Sequence, residues 1–461
     1  MKVRELTETD VLDFAQREES HFFDNKASKV SGKNIQKIAV AFANADGGEF
    51  VVGIKDSKDA LNPQDRWDGL PNIEALNFVF QSLNNTIPQI PHQVEVLRNA
   101  NNTVAARVYV EKSENVHRTD AGAVYVRKGA QSLLVTDHDQ IQALSYAKGE
   151  SSYEDTLVSS ATAEDIFETN EMRAFLRDYS PATDPIDFTI NQNLVDRRTY
   201  DPRTAGILLF SDNPVPLLPR RCGIKISRYE TDLEEPERVH LKEQHTIEGP
   251  LYNQIHKAAD TITHMMESVR VMSTTGLVEA KYPPETIWEI LVNAVIHRDY
   301  SISDDIHVLV YNNRIEIISP GRLPGYVTVY NILDSRFSRN SKIVRTLNKY
   351  KDAPNRDMGE GLNTAFQRMQ EFQLEKPIIT ERNNTVCVII PHTPLASPQE
   401  RVMEYLDHNE TIKNRQAREI TGIKSENSMK RIFYDLREKE MIDPVLSKTG
   451  SRIVAWKKRR G

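Results

Sequence analysis

Two cysteines, Cys222 and Cys387, are all that the 461 residues hold, and they stand far apart without CxxC spacing. That excludes a disulfide framework and a cysteine-based zinc site. No apolar run is long enough to span a bilayer, and the opening MKVRELTETD is charged where a secretory signal would be apolar. The expectation is therefore a cytoplasmic chain with no membrane partner. The phosphate-loop pattern GxxxxGK[ST] is also missing, since Ser31-Gly32-Lys33-Asn34 lacks the preceding glycine and the hydroxyl residue. That argues against a helicase motor. His297-Arg298-Asp299 imitates a kinase catalytic loop, but position 304 is Asp rather than Asn and no DFG follows, so it reads as helix-end structure.

What is present is an ordinary folded composition, 39% hydrophobic and 27% charged, in a chain long enough for three or four compact units. The net charge of -7 is uneven: residues 401–461 carry 15 Lys and Arg against 9 Asp and Glu, a local +6 that leaves -13 for the remainder. Affinity for a polyanion must then be local.

Periodicity divides the chain at 1–150, 151–275, 276–396 and 397–461. In the first part, Ile35, Ile38, Ala39 and Phe42 repeat with helical spacing before the turn Asp46-Gly47-Gly48 and the apolar run Phe50 to Ile54. Strands are predicted over Thr103 to Val110 and Ala123 to Arg127. The second part opens acidic, then gives the apolar run Ala205 to Phe210, the alternating Cys222 to Ile226, and an amphipathic stretch from Leu251 to Met266. In the third, Pro283-Pro284 opens a helix with Ile287, Ile290, Leu291, Ala294 and Val295 on one face. Two strands follow, Ile306 to Tyr311 and Arg314 to Ile318, around Asn312-Asn313, whose tolerance of positive φ suits a hairpin turn. The last part reads as helices followed by a basic hairpin turning at residues 448–451, the pattern of a winged helix.

Chemistry gathers in three places. Glu19, Asp24 and Lys26 lie close in sequence, and Asp56 falls at a strand end, so three carboxylates and a lysine could hold Mg²⁺ or Mn²⁺ and act on a phosphodiester. From spacing alone the stronger reading of the same residues is solvated loop carboxylates. Arg127 and Lys128, beside Gly129, form a basic pair at a strand end suited to phosphate, or to a solvated edge. In the third part Glu289 and Asn293 project from one helix face, and Gly359 and Gly361 precede a predicted helix from Leu362 to Gln370, where backbone amides can approach phosphate or simply cap the helix. In the last, Ser425 is an apt N-cap that places Lys430 and Arg431 early in a recognition-like helix, while Lys448, Arg452, Lys457 and Lys458 line the wing and tail.

The segments Glu19-Ser20, Asp24-Asn25-Lys26, AFANADGGEFVVGIKD, His117 and VYVRKGAQS occur in the order found in Schlafen AlbA domains, which this region resembles. The family more often has Glu-Phe-Lys where this chain has Asp24-Asn25-Lys26. Further on, EILVNAVIHRDYS, YNNRIEIISPGRLP, SRNSKI and MGEGLNTAFQRM resemble the GHKL-like ATP-binding region that follows such domains in RecG-related regulators. Ser319-Pro320-Gly321 stands where typical GHKL ATPases carry the adenine-binding Asp. The resemblance implies an α+β multidomain protein with a Schlafen/AlbA-type N-terminal domain, a GHKL-like α/β sandwich and a C-terminal winged helix. It also implies Glu19, Asp24 and Asp56 as metal ligands, Glu289, Asn293, Gly359 and Gly361 as the ATP site, and Arg339 and Lys342 as phosphate contacts.

The expected function is a nucleic-acid-binding, nucleotide-responsive transcriptional regulator acting on DNA, with a homodimer suited to half-site recognition. The alternatives are a Mg²⁺- or Mn²⁺-dependent endoribonuclease cutting tRNA in phage defence, with weak ATPase activity as a further enzymatic reading, and a non-catalytic interaction scaffold.

Overall fold

A computed structural model describes residues 2–273, 276–279, 282–355, 361–392, 398–421, 423, 425–446 and 453–459. The architecture is α+β with several separate sheets. It falls into two compact units, Met1–Phe372 with Lys376–His392, and Gln373–Glu375 with Thr393–Gly461.

The first unit begins with a five-stranded mixed sheet in the order β1-β4-β5-β3-β2. Its strands are β1 (Lys2–Glu5), β2 (Phe23–Lys26), β3 (Gly48–Val52), β4 (His92–Arg98) and β5 (Val104–Val110). Helices α1 (Glu8–Gln16), α2 (Gly32–Ala43) and α3 (Asn77–Asn84) accompany it. The helical spacing of α2 exists to bury one face: Ile35, Ile38, Ala39 and Phe42 enter a core with Phe50, Val108 and Leu83. Asn44, just past α2, holds the backbone of His117 and Tyr125 and so ties on the hairpin β6 (Val124–Lys128) and β7 (Gln131–Val135). Helix α4 (His138–Lys148) then leads away, its last residue donating from Lys148 Nζ to the Ala43 carbonyl at 2.7 Å.

Short helices α5 (Glu164–Phe167), α6 (Asn170–Tyr179), α7 (Pro185–Asn191) and α8 (Thr204–Phe210) come next. The apolar run at 205–210 is thus one buried helix, with Phe210 and Phe188 around the Phe175 ring.

A second, six-stranded sheet follows in the order β14-β15-β13-β12-β8-β9. It uses β8 (Ile224–Tyr229), β9 (Leu241–Ile247), β12 (Ile306–Val310), β13 (Arg314–Pro320), β14 (Ile378–Arg382) and β15 (Thr385–Pro391), while β10 (Arg270–Ser273) and β11 (Gly276–Glu279) pair only with each other. The division expected at 275 is corrected here, because β8 pairs in parallel with β12 and draws residues before 275 into the same sheet. The division at 150 is no break either: Glu154, fully buried, accepts the backbone N–H groups of Lys342 and Ile343. Helices α9 (Leu251–Met266), α10 (Pro284–Ile296), α11 (Ser341–Leu347) and α12 (Gly361–Glu371) belong to this part, with α10 packed on α9, α12 and β13. The β12–β13 turn closes through Tyr311 N–H to the Arg314 carbonyl at 2.8 Å without either Asn312 or Asn313 entering positive φ. Side-chain bonds from Arg228 to Asn312 and from Asn313 to the Asp232 carbonyl fix it instead.

The second unit has α13 (Pro398–His408), α14 (Asn414–Thr421) and α15 (Glu426–Glu438), then the antiparallel pair β16 (Ile442–Leu446) and β17 (Ile453–Lys458). Ser425 caps α15 through its hydroxyl, and Phe433 stacks on Trp456 at 5.2 Å within a core that includes Val402, Ile412 and Met429. Ile412 also bridges to Trp456, adding a short third edge.

Candidate nucleotide pocket and carboxylate site

Three of the residues predicted to form the N-terminal site meet. Strand β2 alternates so that Asp24 and Lys26 fall on one face, and the preceding loop returns Glu19 to them. Lys26 Nζ lies 2.8 Å from Glu19 Oε1 and also binds Asp24 Oδ1. The other Asp24 oxygen takes Arg127 Nη1 at 2.7 Å, a pair whose side chains are 1% and 3% exposed. Arg127 donates further to the carbonyls of Ser20 and Phe23 and lies over the Phe42 ring. The expected exposed phosphate contact is therefore corrected for Arg127, which is an interior counter-ion, whereas its neighbour Lys128 is exposed.

Burial raises the Glu19 carboxyl, and the Asp24 charge adds to it, against the pull of Lys26. Burial works against the Lys26 ammonium, but Asp24 and Glu19 outweigh it and hold the lysine charged. Asp56 stands apart and accepts from Ser57 Oγ and Lys58 N–H; these outweigh its burial and keep its carboxyl below the usual range.

This donor set does not fit the expected Mg²⁺ or Mn²⁺ centre. Both Asp24 oxygens and Glu19 Oε1 are engaged by cationic side chains. Among the described residues no three Asp, Glu, His or Cys side chains converge as metal ligands. Lys26 occupies the place between the carboxylates that a cation would take.

The second site is a cavity of about 730 Å³ enclosed by α10, the end of β13, the segment 321–338, residues 353–355 and the start of α12. That volume is in the range of small-molecule and cofactor pockets. Its floor is apolar, from Ile317, Ile379, Val386 and Val388. Glu289, Asn293 and Gly361 all line it. Asn293 donates its Nδ2 to the Glu289 carbonyl one turn back at 2.8 Å, which leaves Oδ1 as an oxygen donor. Glu289 Oε2 lies against Gly361, where a Cβ would come within 2.2 Å of it, so any larger residue at the start of α12 would displace this carboxylate. Asn293 Oδ1 is an oxygen of the kind that a nucleotide-bound Mg²⁺ prefers, and Glu289 lines the same wall of the cavity.

Arg339 and Lys342 do not reach the cavity, and their expected role as phosphate contacts is corrected. Arg339 is buried and donates to the carbonyls of His297, Ala147 and Arg322. A side chain at Gly321, whose φ is +107°, would meet it. Lys342 pairs with Asp155. Ser319 donates its hydroxyl to the Ala294 carbonyl at 2.8 Å. Gly359, Lys448 and Arg452 lie outside the described residues.

Sequence reasoning missed three lining residues. Arg322 was visible only as part of SPGRLP, Asn355 carried no signal, and His297 caps the end of α10 as its sequence implies but also lines the cavity. His297 presents a neutral imidazole, its pKa pushed down to about 4 by burial and by Arg339.

In the second unit Lys430, Arg431, Lys457 and Lys458 are exposed. Lys430 pairs with Glu426 at 2.8 Å and Lys458 with Asp407.

Two segments of the chain match known families. Residues 19–136 match the family described as "Schlafen, AlbA_2", and residues 303–390 match "Putative ATP-dependent DNA helicase recG C-terminal". The chain thus carries one segment similar to the Schlafen AlbA_2 family and another similar to the RecG C-terminal family, both nucleic-acid-related. No curated protein matches the chain. Among solved structures, the DIP2311 protein from Corynebacterium diphtheriae is 17% identical over 95% of this chain and 92% of that one, with a TM-score of 0.41. No described helix is long and apolar enough to cross a membrane.

Proposed function

We propose that this protein is a nucleic-acid-binding regulator whose nucleotide pocket is joined directly to its Schlafen AlbA_2 segment. One observation carries the reading: Arg322, a pocket-lining residue, donates to Asp46 at 2.7 Å, and Asp46 in turn holds His21 at 2.7 Å, two residues from Glu19. Lys112 reinforces the junction by donating to the carbonyls of Leu323 and Val327, both on the pocket wall, at 2.9 and 3.0 Å. A ligand that repositions the segment 321–338 thereby acts on the loop that carries the carboxylate site. The second unit supplies DNA contacts through Lys430, Arg431 and Lys457 in a winged-helix arrangement, where such cations give salt-dependent affinity.

The test is fluorescence anisotropy with labelled duplex DNA and labelled tRNA, with and without ATP and Mg²⁺. Binding whose affinity changes at least threefold with ATP is the expected result. Binding indifferent to nucleotide, or no binding, overturns it. Mn²⁺-dependent cutting of either substrate identifies a nuclease, for which Lys26 must first leave its two carboxylates.

A further inference from the structure

Among the described residues, two side chains lining the nucleotide pocket carry buried polar atoms without hydrogen-bond partners, His297 at Nδ1 and Asn355 at both atoms of its amide. Asn355 lines the cavity and is only 8% exposed, yet neither its Oδ1 nor its Nδ2 has a hydrogen-bond partner among the described residues. A side-chain amide closed from water with all its bonding capacity unused costs about 1–3 kcal/mol. Native interiors retain such groups rarely, and then for a reason.

Its position indicates what it meets. Pro354, the preceding residue, accepts from Trp288 Nε1 at 3.0 Å, and Trp288 is the chain neighbour of Glu289, whose carboxylate lies against Gly361 at the first residue of α12. Asn355 and the start of α12 thus meet at the same turn of α10. The opening N–H groups of an 11-residue helix point out of its N-terminus and favour anions there. His297, also lining the cavity, is the C-cap of α10, nine residues after Trp288 and thus about 13 Å along the axis at about 1.5 Å per residue. Apolar residues floor the space between.

We propose that Asn355 is a phosphate-binding residue of this pocket: its amide turns toward the cavity and donates from Nδ2 to the β- or γ-phosphate of a bound nucleoside triphosphate, while Oδ1 accepts from water on that phosphate. The inference rests on the nucleotide reading above and assigns the anionic end of the ligand to the Asn355 side and the base to the His297 side.

Isothermal titration of the full chain with ATP and with AMP, each with Mg²⁺, tests it on wild type and Asn355→Ala. The variant is expected to bind ATP about tenfold more weakly and AMP within twofold of wild type, the size of one lost hydrogen bond to a charged group. Its thermal midpoint is expected to equal or exceed that of wild type, because an unpartnered amide has been removed. Unchanged ATP affinity, equal losses for ATP and AMP, or a lowered midpoint overturns the assignment of Asn355 while the nucleotide reading stands. A wild type that binds neither ligand removes the nucleotide reading, and this proposal with it.

Discussion

Arg322 Nη2 lies 2.7 Å from Asp46 Oδ1, joining residues 276 positions apart in the sequence. The same guanidinium also binds Glu381 at the end of β14. Burial alone would raise the Asp46 carboxyl, but Arg322 and His21 outweigh it and hold it below its ordinary value.

Asp46→Asn removes the charge that Arg322 and His21 share. The expected outcome is ATP affinity within about threefold of wild type, with the effect of ATP on nucleic-acid affinity lost, as read by anisotropy. Because the folded carboxyl titrates below its unfolded value, the stabilisation from Asp46 is fully present at neutral pH and lost as pH falls through the lowered value. Acid unfolding of Asp46→Asn should accordingly be flatter than that of wild type below about pH 4.

Arg127→Met leaves Asp24 buried with one fewer cation. Breaking one side of a buried pair costs about 3–5 kcal/mol, and urea unfolding should show a loss of that size. A loss under 1 kcal/mol would mean that the pair is not buried in solution.

Lys148 is buried, and burial together with the charge of Lys112 pushes its ammonium down to about 7. The unfolded lysine titrates near 10.4. Below about pH 7 both states carry the proton and the full cost of burying it is present; between 7 and 10 the folded state sheds the proton first, and stability rises with pH. Lys148→Met should raise the thermal midpoint relative to wild type at pH 7, with the gain shrinking by pH 9.5. A gain that grows with pH would contradict the depressed value.

Alanine at both Lys430 and Arg431 should weaken DNA binding across unrelated sequences and make the slope of log affinity against log salt shallower by roughly 1 to 2. An unchanged slope would place DNA elsewhere on the chain.

The sequence was most legible where one periodicity served one core. Helices α2 and α10 follow the spacing of their apolar residues, and Ser425 caps α15 as its hydroxyl and position imply. Boundaries were less legible, because β8 finds its second neighbour, β12, only some 80 residues later, and strand pairing across that distance leaves no local mark. The sites divided likewise. Glu289 and Asn293 reach the cavity together because i, i+4 helix spacing is a local property, and Gly361 lines it at the start of the next helix. Arg127, Arg339 and Lys342 carry the charge that phosphate needs, but each is turned inward by partners from distant segments: Asp24, the Ala147 carbonyl and Asp155. Charge is visible in a sequence; the burial that uses it is not.

The order of strands in the second sheet sets a schedule for the nascent chain. The five strands of the first sheet are complete once Val110 has been made, whereas β13 acquires its outer neighbour β15 only when Pro391 is in place. Between Pro320, which ends β13, and Pro391, which ends β15, the edge of β13 stays open for about 4–14 s at roughly 5–20 residues per second. A chain that stops between β13 and β15 keeps that edge permanently, and an unpaired apolar edge is a template for other chains. Premature termination in this interval is therefore expected to yield insoluble fragments, while release just after the first sheet leaves a segment with its own core.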